Sequence, residues 1–145
     1  MPLQLNAFLP YQLRRTYAAI NHCLSEVYEG RYELTQPEWR VMAIVARDME
    51  ITSTDIAAAA TIDKVAVSRA VTRLEAKNLV ERIPNQNDGR SMLLTLSREG
   101  QAIYDKMSAE LLKVEAQLMQ GLKPEERDAL LRLLATLEAN ANTIA

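Results

Sequence analysis

The sequence is poor in the residues that catalytic and metal chemistry most often use: 145 residues contain one cysteine, Cys23, and one histidine, His22. A lone cysteine excludes an internal disulfide framework and a multi-cysteine metal site, leaving one free thiol. There is no Gly-rich phosphate loop and no cluster of His, Cys, Asp or Glu, so few catalytic constellations remain and an enzyme is the least supported class. No cofactor and no metal are expected. Glycine (4) and proline (5) are also scarce, which with 48% apolar and 25% charged residues describes an ordered globular chain rather than a disordered or fibrous one. No apolar run approaches the roughly 18 residues of a membrane span, and MPLQLNAFLPYQLRR lacks the basic-then-apolar order of a signal peptide. A cytoplasmic protein without a membrane partner is the expectation, with 1–145 as one chain domain of a size that buries roughly 68–70% of its unfolded surface.

A basic excess is absent too. The net charge is −2, which by itself speaks against a nucleic-acid binder, because such domains are usually basic. The distribution differs. Residues 63–90 hold six basic side chains (Lys64, Arg69, Arg73, Lys77, Arg82, Arg90) against four acidic ones (Asp63, Glu75, Glu81, Asp88), a local charge of +2 on an acidic body. Such a segment attracts phosphate over a Debye length of about 8–10 Å.

Helical periodicity dominates what is present. Leu13, Tyr17, Ile20, Leu24 and Val27 form the stripe of an amphipathic helix to about Glu29, which Gly30 ends. Thr35-Gln36-Pro37-Glu38 has the form of a capping box for a second helix to about Arg47. Thr52-Ser53-Thr54-Asp55 repeats the signature before a short helix, Ile56 to Ala60. Thr61-Ile62 turns the chain, and Asp63 caps a longer helix to about Asn78 whose buried side is Val67, Val71 and Leu74. Two short helices joined by a tight turn make a helix-turn-helix candidate. The helical period then stops. Leu79–Ile83 and Met92–Leu96 read as strands flanking a polar loop longer than the usual two to five residues. Ser97 restarts a helix to about Gln120. After Gly121, Pro124-Glu125-Glu126 opens a last one, with Leu130, Leu133, Leu134 and Leu137 as its apolar face. The fold class expected is mainly α, a winged helix-turn-helix with a two-stranded wing, framed by terminal helices.

At this point the chain resembles the MarR family of transcription regulators from about Phe8 to Leu137. The resemblance rests on Asp63-Lys64-Val65-Ala66-Val67-Ser68-Arg69-Ala70-Val71-Thr72-Arg73-Leu74-Glu75, on Asp88-Gly89-Arg90, and on Leu94-Thr95-Leu96-Ser97-Arg98-Glu99-Gly100. Two departures stand out: Asn85-Gln86-Asn87 at the wing tip, where many relatives are more basic, and Lys123, where a Ser or Thr cap is common. The resemblance implies a DNA-binding lobe at 35–97, dimerisation helices at 1–30 and 98–145, and a ligand-responsive regulator, with repression as the expected mode.

At 100° per residue, Val65, Arg69 and Thr72 lie opposite the buried stripe of the third capped helix, with Ser68 and Arg73 flanking. This small, hydrogen-bonding face suits a major groove: Arg69 pairs with a base edge, while Val65 and Ala66 meet thymine methyl groups. Lys64 and free amides in the first turn reach phosphate. Arg73 either contacts phosphate or braces Glu75, which reads as structural. On the wing, Arg90 suits a narrow minor groove, with Asp88 posing its guanidinium and Gly89 letting the chain turn. The plainer alternative is that Lys64, Arg69 and Arg73 only solvate an exposed face.

Leu3, Leu5 and the leucine faces near both ends exceed what one winged core consumes, so a homodimer is expected, with reading helices about 34–36 Å apart on a pseudo-palindromic duplex. Relatives also hold anionic, often aromatic effectors in a cleft between the dimer helices and the DNA-binding lobe. For that role Trp39 offers a stacking ring and Arg40 a carboxylate partner, with Tyr17 and His22 as weaker candidates. The alternative makes Trp39 a core anchor and Arg40 a surface charge. Cys23 is read as a buried structural thiol, with thiol-oxidation sensing as the competing role. The main rival to DNA reading is a winged-helix module that uses the same face for a protein partner.

Overall fold

Side-chain caps set most helix starts in the computed structural model, which describes residues 1–145. Helix α1 (Leu9–Tyr28) follows a short 3-10 turn at Leu5–Ala7 and carries Pro10 in its first turn. Before α2 (Gln36–Asp48) the Thr35 hydroxyl accepts the Glu38 N–H at 3.3 Å and the Glu38 carboxylate accepts the Thr35 N–H at 3.2 Å, the capping box expected there. Helix α3 (Ser53–Ala60) begins earlier than the Ile56 expected, because the Thr52 hydroxyl takes the Asp55 N–H and recruits the polar residues into the first turn. The Asp63 carboxylate accepts the Ala66 N–H at 2.9 Å and starts α4 (Lys64–Ala76). Helix α4 ends at Ala76 rather than near Asn78, since Asn78 turns left-handed (φ 59°) and lets the Leu79 N–H close on the Leu74 carbonyl.

Strands β1 (Val80–Pro84) and β2 (Met92–Leu96) pair antiparallel, with Val80 opposite Leu96 and Pro84 opposite Met92. Strand β1 lies one residue later than expected. Ile51, between α2 and α3, adds a single bridge to Leu94 that the sequence pattern did not mark. The Ser97 hydroxyl then accepts the Gly100 N–H at 2.9 Å and donates to the Asn78 carbonyl at 2.6 Å, starting α5 (Arg98–Leu118). Gly100 sits so close to the Leu79 carbonyl that a Cβ would overlap it, so this crossing requires glycine.

Residues 1–112 form one compact unit and 113–145 a second. The core of the first is built from Val41, Met42 and Val45 of α2, Ile56 of α3, Val67, Val71 and Leu74 of α4, Leu94 of β2 and Met107 of α5, all at most 1% exposed. At roughly 1.5–3 kcal/mol per buried side chain, this shared core fixes the three helices of the helix-turn-helix against the hairpin. In the second unit Gly121 adopts φ 85°, and Glu126 accepts the Lys123 N–H at 2.7 Å, so α6 (Pro124–Ile144) starts at Pro124 without a Ser or Thr cap.

Two expected apolar stripes are only partly covered in the single chain. Leu13 and Tyr17 of α1 are exposed, whereas Val27 and Tyr28 at its other end are buried; on α6, Leu130, Leu133 and Leu134 are exposed and Leu137 is partly covered. Cys23 is exposed, contrary to the buried thiol expected. It lies one residue, about 100° of arc, from Leu24 on the covered stripe, so the helix turns it outward. No helix is long and apolar enough to cross a membrane.

Candidate nucleic-acid interface

Asp63 holds the first turn of α4, and the buried stripe Val67, Ala70, Val71 and Leu74 fixes its roll against α2 and α3. The opposite face follows from that roll. Lys64, Val65 (60% exposed), Ser68, Arg69, Thr72 and Arg73 are exposed, and Ala66 is half-buried at the edge. The Thr72 hydroxyl donates to the Ser68 carbonyl at 3.0 Å, which leaves its acceptor lone pairs free. Arg69 and Arg73 line a cleft of about 190 Å³ whose other walls are Thr35 and Pro37, before and in the first turn of α2, with Ala66 and Ala70.

The six basic residues of 63–90 divide into two groups. The Lys77 ammonium lies 3.0 Å from the buried Glu38 carboxylate, and the Arg82 Nε binds Glu75 at 2.6 Å. Glu75 is therefore structural, but its partner is Arg82 and not Arg73, because β1 brings position 82 back beside the end of α4. Lys64, Arg69, Arg73 and Arg90 enter none of the chain's ion pairs. Four cations without carboxylate partners thus sit on the outer face of α4 and on the wing.

The wing loop, 85–91, is organised by side-chain turns. The Asn85 side chain accepts the Asn87 N–H at 3.1 Å and donates to the Ser91 hydroxyl at 2.9 Å, while the Asp88 carboxylate accepts the Arg90 N–H at 3.0 Å. Two expectations are corrected. Asp88 shapes the backbone and does not pose the Arg90 guanidinium, since a carboxylate two residues ahead reaches the amide before the side chain. Gly89 has open space around it and no positive φ, so the turn does not depend on glycine.

Between α1 and α2 lies a polar cluster. Arg40 donates to the Tyr17 hydroxyl at 2.9 Å, Gln36 donates to both Tyr17 and Asn21, and the Tyr28 hydroxyl donates to Asn21 at 2.9 Å. The Trp39 ring lies 5.8 Å from that of Tyr28, and its indole N–H is buried without an acceptor. The structure joins Tyr17 directly to Arg40, while Trp39 contacts Tyr28, whose hydroxyl shares the partner Asn21 with Gln36. His22 is exposed, with its side chain in no hydrogen bond of this cluster. Asn21, Tyr28 and Gln36 were not singled out from the sequence; Asn21 and Tyr28 share a helix face with Tyr17, the one signal that would have found them. No group of three or more His, Cys, Asp or Glu side chains is placed to hold a metal ion.

The family model for the MarR family matches residues 34–92, which span α2 through the wing. The chain is 29% identical over 113 residues to the homoprotocatechuate degradative operon repressor of Escherichia coli, covering 78% of this chain and 76% of that one. Its fold superposes on a cysteine-to-serine mutant of MarR from E. coli complexed with operator DNA, with TM-score 0.76, 27% identity and coverage of 94% and 99%. It superposes also on Bordetella bronchiseptica BpsR, whose DNA binding is regulated by 6-hydroxynicotinic acid, with TM-score 0.86, 24% identity and coverage of 95% and 98%. With the winged helix-turn-helix, its outward cations and these likenesses together, residues 34–92 match the MarR family of transcription regulators and the chain has the fold of its solved members.

Proposed function

We propose that this regulator is a homodimeric repressor that reads a near-palindromic operator with α4 and the wing and is released by a small anionic aromatic ligand. The observation that carries the DNA side is the division of the basic residues: Lys77 and Arg82 are neutralised within the chain, and Lys64, Arg69, Arg73 and Arg90 are not. Ser68, Arg69 and Thr72 address base edges, Val65 and Ala66 meet thymine methyl groups, and Lys64 and Arg73 contact phosphate. Arg90 enters the adjoining minor groove, on a loop that Asp88 shapes. The exposed leucines of α1 and α6 are buried by the second copy, which spaces two reading helices about 34–36 Å apart.

Selection of bound duplexes from a random pool tests this reading. Affinity for the selected duplex falls linearly in log salt, and the Lys64→Ala, Arg73→Ala double variant flattens the slope by about 2. Absence of any specific duplex at low salt would instead favour a protein partner for this face.

Tyr17, Trp39 and Arg40 support the ligand arm. A cation with a phenol, on the helix that also carries a buried indole N–H lacking an acceptor, fits an aromatic carboxylate or its thioester. BpsR, of the same fold, responds to a heteroaromatic acid, and the E. coli relative is named for an operon degrading an aromatic one. A panel of aromatic acids and thioesters, titrated at fixed salt, is expected to contain one that weakens the operator complex by about 1–3 kcal/mol. A panel without effect overturns this arm alone.

A further inference from the structure

We infer that Glu38 and Lys77 form a clamp that sets the tilt of α4, making Lys77 a positioning residue for operator recognition and not a phosphate contact. The inference rests on α4 being the reading helix. Glu38 is 1% exposed, and one of its oxygens performs two tasks: it accepts the Thr35 N–H that closes the box at the start of α2, and it lies 3.0 Å from the Lys77 ammonium. The same ammonium donates to the Glu33 carbonyl at 2.8 Å. Two of its three protons are therefore committed to acceptors within the chain, although the side chain is 40% exposed, and are not available to a phosphate.

Lys77 is the C-cap residue of α4, and the next residue is tied as well, its carbonyl accepting the Ser97 hydroxyl at 2.6 Å. At the other end the cap is Asp63, which belongs to the helix's own lead-in. The apolar core sets how closely α4 lies on α2 and α3, while the tethers at its C-terminal end set its angle. With 13 residues α4 is roughly 20 Å long, so a tilt of about 5° at the clamp displaces Lys64 and Val65 by over about 1.5 Å. Base-edge hydrogen bonds do not survive that displacement, whereas attraction to the phosphate backbone does. The first turn of α2 also carries Gln36, bonded to Tyr17 and Asn21. A ligand that shifts this turn therefore moves α4 through Glu38 and Lys77.

The test compares Kd for the tightest duplex recovered from a random pool with Kd for a scrambled duplex of the same composition, in Lys77→Met, Glu38→Gln and Lys77→Arg. Glutamine keeps the acceptor of the capping box and removes the charge that holds Lys77, so Glu38→Gln reads the clamp even where Lys77→Met fails to fold. Both disrupting variants are expected to lose about tenfold in the ratio of the two affinities, with the scrambled-duplex Kd and the salt slope unchanged, and Lys77→Arg to retain the ratio within about threefold. An unfolded fraction cancels in the ratio, so loss of structure alone leaves it in place. An unchanged ratio in Glu38→Gln overturns the clamp, and so does a salt slope lowered by about 1 in Lys77→Met, which would make Lys77 a phosphate contact. A native chain that prefers no duplex in the pool overturns the reading of α4 itself, a failure visible before any variant is made.

Discussion

The Asp88 carboxylate accepts the Arg90 backbone N–H at 3.0 Å, and the Arg90 guanidinium is in no ion pair. The acid shapes the wing tip and leaves the cation available. Arg90→Ala is accordingly expected to weaken operator binding by about 1–3 kcal/mol and lower the salt slope by about 1, with thermal unfolding nearly unchanged. Asp88→Asn, whose amide oxygen accepts the same N–H, stays close to native, while Asp88→Ala loses part of the affinity. Equal loss of stability in Arg90→Ala, read by calorimetry, would show a structural brace.

Gly100 meets the Leu79 carbonyl where α5 leaves the hairpin. Gly100→Ala forces that crossing apart and is expected to cost about 1–3 kcal/mol, or roughly 2–12 °C in Tm for a chain of this size. Gly89→Ala, in open space, is expected to leave Tm within about 2 °C on the same scale. Comparable losses for both would remove the distinction drawn between these glycines.

Two tyrosines hold their protons more tightly than usual. Burial raises the Tyr28 pKa, and the hydrogen bond to Glu110 raises that of Tyr32. A folded pKa above the unfolded value means that the unfolded chain loses its proton first. The stability these groups confer is therefore complete below pH of about 10 and is lost as pH rises through the folded values. In an ultraviolet titration of the five tyrosines, Tyr28→Phe and Tyr32→Phe each remove a late step; one uniform transition near 10 contradicts this.

Leu131 is 58% exposed and Leu134 39% in the single chain. Charges there do not disturb a core within the chain, so Leu131→Glu with Leu134→Glu is expected to halve the sedimenting mass and to weaken operator binding more than tenfold through lost bivalency. An unaltered dimer would locate the interface away from α6.

Local chemistry made much of the fold legible. The boxes and caps at Thr35, Thr52 and Asp63 act within three residues, and the stripe Val67, Val71 and Leu74 lies within one helix, so both are written in adjacent sequence. The exposed face of α4 followed from that stripe by geometry alone. The boundary shifts at α3, α4 and β1 have the same origin: a side chain or a left-handed residue, not the apolar period, decides where an element stops.

Pairings across the fold were a different matter. Six basic residues between 63 and 90 look alike along the chain, and which of them are neutralised depends on where folding places acids far away in sequence, as for Glu38 and Lys77, 39 positions apart. The meeting of Tyr17 with Gln36 and Arg40 was decided in the same way, whereas the outward turn of Cys23 and the Asp88 bond to an amide follow from local helix and turn geometry. Charge and polarity are properties of single residues and can be counted from the chain; partnership depends on distance and burial, and those exist only once the helices have packed.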